Sequence, residues 1–338
     1  MSITIKDVAI KAGVSPSTVS RVINGKGVIS EETKIKINKV MEELNYHPNS
    51  LARNFANGSS YAMGLVIDAK DENTFSNAFF NRSVFAIETV AQSNGYNLLI
   101  VNDREGIDST SSIEKLVFER KVDGLILPPS TIKQKLIKKL LELEFPFVVL
   151  GEPKLFKTES SWVDVNNKQG SENAIEHLIS KGYKRIAYVY DDKTNLFEQN
   201  RLEGYKNGLK KVGLKINEEY IIETPRDKEK YYEETVSILS GSNPPDAFLC
   251  SNNDIAFYVL KAIKAKQLIV PDQIGVITFD NYPIAEYMDP PLSVIDVDTY
   301  ALGEQVANIL LQKIERKNSS DQHTLISTKL ILRESTND

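Results

Sequence analysis

The chain of 338 residues has few of the side chains on which disulfide or metal chemistry depends. Its single cysteine, Cys250, excludes an internal disulfide and favours a reducing compartment. Its three histidines, His47, His177 and His323, are far apart in the sequence, and no Cys/His cluster with metal-ligand spacing accompanies them. We therefore expect no metal site.

Long apolar runs and phosphate-binding glycine loops are also missing. No stretch reaches the roughly 18 consecutive apolar residues of a membrane-spanning helix, and residues 1–20 have no apolar core of the signal-peptide type. The sequence contains no nucleophile elbow, no P-loop and no glycine-rich dinucleotide turn. These absences predict a cytoplasmic protein that is not an enzyme and needs no cofactor.

Charge, in contrast, is plentiful and unevenly distributed. Residues 1–60 contain eight Lys/Arg and five Asp/Glu, a net charge of +3, whereas the rest of the chain contains 33 and 41, a net charge of −8. A basic segment in front of an acidic body suggests that only this segment meets a polyanion. The alternative is an ordinary fluctuation in composition.

Residues 1–48 have the apolar spacing of three short helices. Each helix begins at a residue that can cap it, and the first ends at a glycine that permits a left-handed turn: Thr4, Ser15, Ser30 and Gly13. Pro16 stands at the favoured first position of the second helix. This spacing predicts a helix-turn-helix, whose second helix enters the major groove of DNA. A purely structural three-helix domain is the alternative.

The outer face of the second predicted helix is rich in hydroxyl groups. It consists of Ser15, Pro16, Ser17, Thr18, Ser20 and Arg21. Hydroxyls can donate to phosphate oxygens, and an arginine can pair bidentately with a guanine edge. Because Pro16 has no backbone N–H, it can offer only an apolar contact, for example to a thymine methyl.

From Tyr61 onward, short β-rich runs alternate with helical segments, which predicts parallel sheets covered by helices. About 275 residues of this pattern are too many for one sheet, so we expect two lobes. Polar pairs end four of the strands, at 102–103, 191–192, 252–253 and 280–281. Because open α/β sheets bind ligands beyond the carboxyl ends of their strands, these pairs predict a cleft for a small polar ligand.

The segment TIKDVAIKAGVSPSTVSRVING, with ISEETKIKINKVMEELNYHPNSLAR after it, resembles the head of the lactose/galactose-repressor family of bacterial transcription regulators. Four later segments resemble the ligand-binding part of that family: NAFF, NRLEGYKNGL, SNNDIAFYVLKAIK and VPDQIGVITFDN. The resemblance therefore covers nearly the whole chain. FPFVVLGEPKL and WVDVNN look most like the maltose-operon regulators of Gram-positive bacteria.

The resemblance implies an α/β body of the two-lobed periplasmic-binding-protein type behind an all-α headpiece. The implied parts are a headpiece at 1–48, a hinge helix and linker at 49–60, and an effector-binding and dimerisation domain at 61–338. Within that domain, the N-lobe is expected at about 61–157 and 293–322, and the C-lobe at about 158–292 and 323–338. Seven or eight hinge residues are too few for a stable isolated helix, so we expect the hinge to order only with DNA and a partner hinge.

The resemblance also implies which residues contact the operator. The base-reading positions are Pro16, Ser17 and Arg21. The positions that usually touch phosphate are Thr4, Ser15, Ser20, Asn24 and Thr33. The hinge helix of the family wedges an apolar side chain, usually leucine, between base pairs in the minor groove, and Phe55 takes that place here. A linker aromatic that packs on the body is the alternative for Phe55.

Eight residues are candidates for effector binding. The resemblance implies Phe79, Phe80, Arg201, Asn252 and Asp280, and the sequence adds Asp103 at a strand end, Glu152 beside the cleft and Trp162 in WVDVNN. Aromatic faces together with Asp, Asn and Arg suit a sugar. Glu152 stands where maltose-operon regulators usually carry lysine. Structural alternatives are a surface ion pair for Arg201, core packing for the two phenylalanines and a lobe interface for Trp162.

The predicted function is a sugar-responsive repressor. A homodimer would bind a pseudo-palindromic operator, and an effector, for example a maltose-like sugar, would close the lobes and disfavour the ordered hinge. Dependence on a co-repressor or on a partner protein is the alternative, because the sequence does not fix the sign of the coupling. A sugar-binding protein without a DNA role is a more remote alternative. After TKLILRES no heptad helix follows, so a tetramer is not expected.

Overall fold

The computed structural model describes residues 3–25, 27–47, 58–68, 78–103, 111–224, 227–316 and 319–336. The chain divides into two compact units, Met1–Tyr61 and Ala62–Asp338. The predicted hinge helix, including its wedge candidate Phe55, lies outside the described residues. Within the described part of the chain, no helix is both long and apolar enough to cross a membrane.

The first unit contains the three predicted helices. They are α1 (Ile5–Ala12), α2 (Pro16–Ile23) and α3 (Glu31–Glu43). Six small or branched apolar residues form their common core: Val8, Ala9, Ala12, Val19, Ile37 and Val40. Gly13 has φ 66°, so the turn between α1 and α2 adopts the left-handed conformation expected from the glycine. The predicted helix-turn-helix is confirmed.

The second unit contains two six-stranded sheets. The strands of the first sheet are β1 (Ala62–Asp68), β2 (Asn97–Asp103), β3 (Gly124–Leu127), β4 (Phe147–Leu150), β5 (Ser161–Val165) and β11 (His323–Ile326). Those of the second sheet are β6 (Ile186–Tyr190), β7 (Ile221–Glu223), β8 (Ala247–Cys250), β9 (Gly275–Phe279), β10 (Ser293–Val297) and β12 (Thr328–Ile331). The orders are β11-β5-β4-β3-β1-β2 and β12-β10-β9-β8-β6-β7. Every pairing is parallel except that of β10 with β12.

Helices cover both sheets, as the βα alternation predicted. The helices of the first lobe are α4 (Ala78–Ser93), α5 (Ser112–Phe118), α6 (Gln134–Glu142) and α12 (Thr299–Glu315). Those of the second lobe are α7 (Asn167–Ser180), α8 (Leu196–Lys211), α9 (Lys228–Leu239), α10 (Asn253–Ala265) and α11 (Pro283–Tyr287). In each lobe a glycine lets two helices pack closely. A Cβ on Gly303 of α12 would lie 2.3 Å from a carbonyl oxygen of α4, and a Cβ on Gly204 of α8 would lie 2.2 Å from a carbonyl oxygen of α7.

The chain crosses between the lobes three times. The crossings follow β5, β10 and β11, at residues 165–167, 297–299 and 326–328. The predicted lobe boundaries at 157/158, 292/293 and 322/323 are therefore wrong, since they assign each of these three strands to the other lobe. The apolar character of a strand shows that it is buried but not which sheet it joins. β5 belongs to the first sheet because it pairs with both β4 and β11.

Candidate DNA-binding face and ligand cleft

The outer face of α2 is exposed where base contact is predicted. Pro16, Ser17 and Arg21 are all exposed, and Val19 on the opposite face is fully buried in the headpiece core. No acidic residue occurs in the first turn of α2. Among the described residues, none forms an ion pair or a hydrogen bond with the Arg21 guanidinium. The side chain is therefore available to an external acceptor.

The hydroxyl groups at the start of α2 form one cluster. The Ser15 hydroxyl lies 2.7 Å from the Ser17 hydroxyl and 2.9 Å from that of Thr18, and it accepts a hydrogen bond of 3.1 Å from the Thr18 amide. Ser15 is therefore the predicted N-cap. The cluster lies at the positive end of the helix dipole, which favours an anion.

The other positions that are predicted to contact phosphate also bond locally. The Thr4 hydroxyl and amide donate to the Asp7 carboxylate at 2.7 and 2.8 Å, which lowers the pKa of that carboxyl. The Ser20 hydroxyl accepts from the Asn24 side chain at 3.2 Å. The Thr33 hydroxyl lies 2.8 Å from that of the N-cap Ser30. These local bonds fix the directions of the side chains without burying them.

Polar side chains lie at the carboxyl ends of the strands, as predicted. Asp103 ends β2, and its carboxylate lies 3.8 Å from the Lys133 ammonium. Asn252 follows β8, caps α10 and donates to the Asp191 carboxylate at 2.9 Å. Asp280 follows β9 and is half-buried with φ 73°, a left-handed conformation that Asp tolerates better than most residues.

Arg201 is the central cation of the cleft. It lies on α8 and is only 6% exposed. Its Nε donates to the Asn167 side chain at 2.9 Å, and its Nη1 donates to the Ser251 carbonyl oxygen. The guanidinium stacks 3.8 Å from the centroid of the Phe279 ring. The alternative of a surface ion pair is wrong, because the side chain points into the body.

Three buried or half-buried carboxyls surround this guanidinium: Asp164, Glu198 and Asp280. Burial raises the pKa of each carboxyl, and the positive charge of Arg201 acts in the opposite direction. Glu198 also accepts hydrogen bonds from the Ser251 hydroxyl at 2.9 Å and the Tyr188 hydroxyl at 3.0 Å. Among the described residues, none donates a hydrogen bond to the Asp280 carboxylate.

Asp164 and Glu198 were not among the predicted cleft residues, although a local sequence pattern indicated each of them. Asp164 interrupts the apolar strand WVDVNN, and a charge inside a buried strand calls for a partner. Glu198 precedes Arg201 by three residues, which places both side chains on one face of a helix. Both patterns are local, but whether the two side chains point toward the cleft depends on how β5 and α8 pack in the body.

Aromatic side chains approach the cleft from both lobes. Phe79 and Phe80 in the first turn of α4 are half-buried and pack against the core cluster that includes residues of both sheets. From the second lobe, the Tyr282 hydroxyl lies near the backbone of Phe79, and burial and the nearby Asp280 raise the pKa of this hydroxyl. Tyr282 was not predicted, because its position after β9 gives no periodic signal.

The prediction that Trp162 lines the cleft is wrong. The side chain is 5% exposed and belongs to the core beneath α5 and α6. Its indole stacks on His323 with a centroid separation of 5.2 Å, and Nε1 donates to the Lys157 carbonyl at 3.0 Å. Trp162 shares a face of β5 with Asp164, but it lies two residues further from the carboxyl end, so it packs under helices instead of reaching the cleft.

Glu152 lies at the edge of the cleft, and both of its carboxylate oxygens already have protein partners. One carboxylate oxygen pairs with the Lys157 ammonium, and the other accepts from the Asn200 side chain at 2.9 Å. The backbone amide of Glu152 donates to the Asp164 carboxylate at 2.9 Å. The side chain is therefore committed to protein partners. In the described part of the chain, no group of three or more His, Cys, Asp and Glu side chains could hold a metal ion.

Two family profiles match the chain. The profile described as "Bacterial regulatory proteins, lacI family" matches residues 4–49, and the profile described as "Periplasmic binding protein-like domain" matches residues 175–336. The "HTH-type transcriptional regulator MalR" of Streptococcus pneumoniae is 33% identical and covers 98% of this chain and 99% of its own. The "Probable HTH-type transcriptional repressor ExuR" of Bacillus subtilis is 34% identical, with 98% of each chain covered.

Solved structures share the fold over nearly the whole length. The Lac repressor dimer bound to operator and the anti-inducer ONPF has a TM-score of 0.81 at 24% identity and covers 99% of both chains. The complex of the transcriptional regulator CelR with cellobiose has a TM-score of 0.72 at 25% identity and covers 98% of this chain and 99% of its own.

Proposed function

The chain belongs to the lacI family of bacterial regulatory proteins, and on this premise we propose that it is a repressor whose operator binding responds to a small sugar. It is not an enzyme. The observation that carries the proposal is the exposed face of α2, where Arg21, which has no ion-pair partner among the described residues, stands among hydroxyl groups without an acidic neighbour in the first turn. A protein that acts in this way on chromosomal DNA works in the cytoplasm.

In the proposed complex, α2 enters the major groove. Arg21 pairs with a guanine edge, Ser17 contacts a neighbouring base, and Pro16 makes an apolar contact. Thr4, Ser15, Ser20, Asn24 and Thr33 hold the phosphate backbone, with the positive end of α2 directed at it. A homodimer places one headpiece on each half of a pseudo-palindromic operator.

The effector occupies the cleft between the lobes. Asp280 accepts hydrogen bonds from effector hydroxyls, and the remaining Arg201 N–H groups donate to them. Phe79 and Phe80 provide apolar surface for the C–H faces of a sugar ring, and Asp103 and Asn252 add polar contacts from the strand ends. Because carboxyls outnumber the central guanidinium, the cleft suits a neutral sugar better than a sugar phosphate or a sugar acid.

The relatives support a sugar of this kind. The CelR structure contains cellobiose, a neutral disaccharide, and is similar over nearly the whole chain. We propose that a neutral di- or oligosaccharide, for example a maltose-like one, binds both lobes and shifts their arrangement. The shift couples to the headpiece, so that sugar and operator weaken the binding of each other by the same factor.

The proposal can be tested with the full-length protein in two steps. Selection from random duplexes first identifies the preferred operator, and a thermal-shift screen of neutral sugars, sugar phosphates and uronic acids identifies the effector. Fluorescence anisotropy then measures operator affinity with and without the stabilising sugar. We expect weaker binding with the sugar. Tighter binding would instead identify a co-repressor, and a lack of sequence preference would contradict the proposal.

A further inference from the structure

One loop makes polar contacts across the lobes at the edge of the cleft. Residues 151–160, called the strap below, connect β4 to β5 in the first lobe. The Glu152 carboxylate accepts a hydrogen bond of 2.9 Å from the Asn200 side chain, and the Lys154 ammonium donates to the Thr194 carbonyl oxygen. Asn200 lies on α8 and Thr194 lies just before it, so both partners belong to the second lobe.

The strap is fastened to the first lobe along its length. In addition to the bond between the Glu152 amide and Asp164, the Trp162 indole donates to the Lys157 carbonyl at 3.0 Å. Within the strap, the Ser160 hydroxyl donates to the Phe156 carbonyl at 2.6 Å, which fixes the local conformation. These bonds make the strap a fixed extension of the first lobe, although it has no regular secondary structure.

The charge of Glu152 is compensated within its own lobe. Lys157, which pairs with the carboxylate, also lies in the strap. If the lobes separate, Glu152 loses Asn200 but keeps Lys157, so the charge of Glu152 itself is not left unpaired. The contact between Glu152 and Asn200 is therefore weak and reversible, unlike a buried ion pair, whose separation is costly.

From this geometry we propose that the strap is a latch that favours the observed arrangement of the lobes when no effector is bound. Glu152 acts as a positioning residue through Asn200 and does not bind the effector. Lys154 makes the second contact of the latch. This inference goes beyond the proposed function and does not depend on it, since it concerns the equilibrium between the lobes and requires neither sugar nor DNA.

The latch can be tested by measuring the distance between the lobes in the full-length protein. Spin labels on cysteines at Lys138 and Glu234, exposed positions on α6 and α9, report that distance by pulsed electron resonance. The native Cys250 is fully buried and does not compete for the label. Labelled chains are mixed with an excess of unlabelled chains, so that only distances within one chain contribute.

We expect Asn200→Ala to add a second distance population. A net hydrogen bond of ordinary strength shifts an equilibrium about five-fold, and adding Lys154→Met should shift it further in the same direction. Glu152→Gln keeps an oxygen that can accept from Asn200, so its distribution should resemble that of the parent. The matched control is Asn207→Ala, because Asn207 lies on the same helix but donates at 3.3 Å to Glu172 in its own lobe.

Circular dichroism confirms that each variant is folded before its distances are interpreted. The proposal is overturned if the double variant has the distribution of the parent. It is also overturned if Asn207→Ala changes the distribution as much as Asn200→Ala does, because the effect would then reflect a general loosening of α8.

Discussion

The headpiece and the cleft both present polar side chains to a ligand, but they stabilise those side chains in opposite ways. On α2 the polar groups are exposed, and the six apolar residues beneath them provide the core. In the cleft, the charged groups are buried and stabilise one another. Function and stability are therefore separable in the headpiece, whereas in the cleft they depend on the same residues.

Two arginines illustrate the difference. Arg21 is exposed and free of ion pairs among the described residues, so its removal leaves no group without a partner. Arg201 is buried, donates to Asn167 and Ser251, and balances three carboxyls. The same substitution at the two positions tests whether this comparison holds.

The largest effect is expected for Arg201→Ala. Removing a buried cation from its carboxyl partners costs about 3–5 kcal/mol of the free energy of unfolding, and the effector response should be lost together with the donor. Urea unfolding followed by the fluorescence of Trp162, the only tryptophan, reports on the body. The control Arg316→Ala removes an exposed arginine at the end of α12. Equal free energies of unfolding for Arg201→Ala and Arg316→Ala would contradict the conclusion that the cleft residues stabilise the body.

A smaller effect, on binding alone, is expected for Arg21→Ala. The loss of one bidentate base contact costs about 1–3 kcal/mol of operator binding and relaxes preference at one base pair. The midpoint of urea unfolding should stay the same as that of the parent. Arg21→Lys keeps the charge but not the paired donors, so it should also lose base preference. If binding to random DNA falls by the same factor as binding to the operator, Arg21 contacts phosphate and not a base.

The smallest effect is expected in the pH dependence of stability. Because burial raises the pKa of Glu198 above its unfolded value, its protonation stabilises the folded body, and this stabilisation is lost as the pH rises through the folded pKa. Glu198→Gln should reduce the increase in the free energy of unfolding between pH 7 and 5, by at most about 1.4 kcal/mol per pH unit.

Glu203→Gln provides the control for this measurement, since Glu203 is exposed on the same helix and pairs with Lys168. The free energy of unfolding of this variant should change with pH as steeply as that of the parent. If Glu198→Gln also leaves the pH dependence of the free energy of unfolding unchanged, the burial of Glu198 does not affect stability. Stability would then be independent of this ligand-facing group, as it is in the headpiece.

Sequence alone was sufficient where structure depends on neighbouring residues. The cap at Ser15 and the turn at Gly13 bounded α1 and α2 correctly because both are local devices. The polar strand ends were also predictable, since Asp280 follows an apolar run directly and Asp103 follows one after a single asparagine. In these cases the evidence lies within a few residues.

Sequence was insufficient where the outcome depends on which strands become neighbours. The lobe boundaries were wrong because β5 pairs with β4 inside the first sheet, and β11, a strand about 160 residues later in the sequence, adds to β5 at the edge of that sheet. Trp162 and Glu152 were placed in the cleft, although the first packs beneath helices and the second is held by Lys157 and Asn200. In each case a partner that is far away in the sequence contributes, namely β11 for β5, His323 for Trp162 and Asn200 for Glu152.

The crossings between the lobes also set the order in which the parts can fold during synthesis. The headpiece core is complete once α3 has been made, whereas the first lobe lacks α12 and its edge strand β11 until residues 299–326 have been added. At about 5–20 residues per second, that interval lasts on the order of tens of seconds. The ribosome therefore supplies a DNA-binding unit that is able to fold well before the lobes that regulate it are complete.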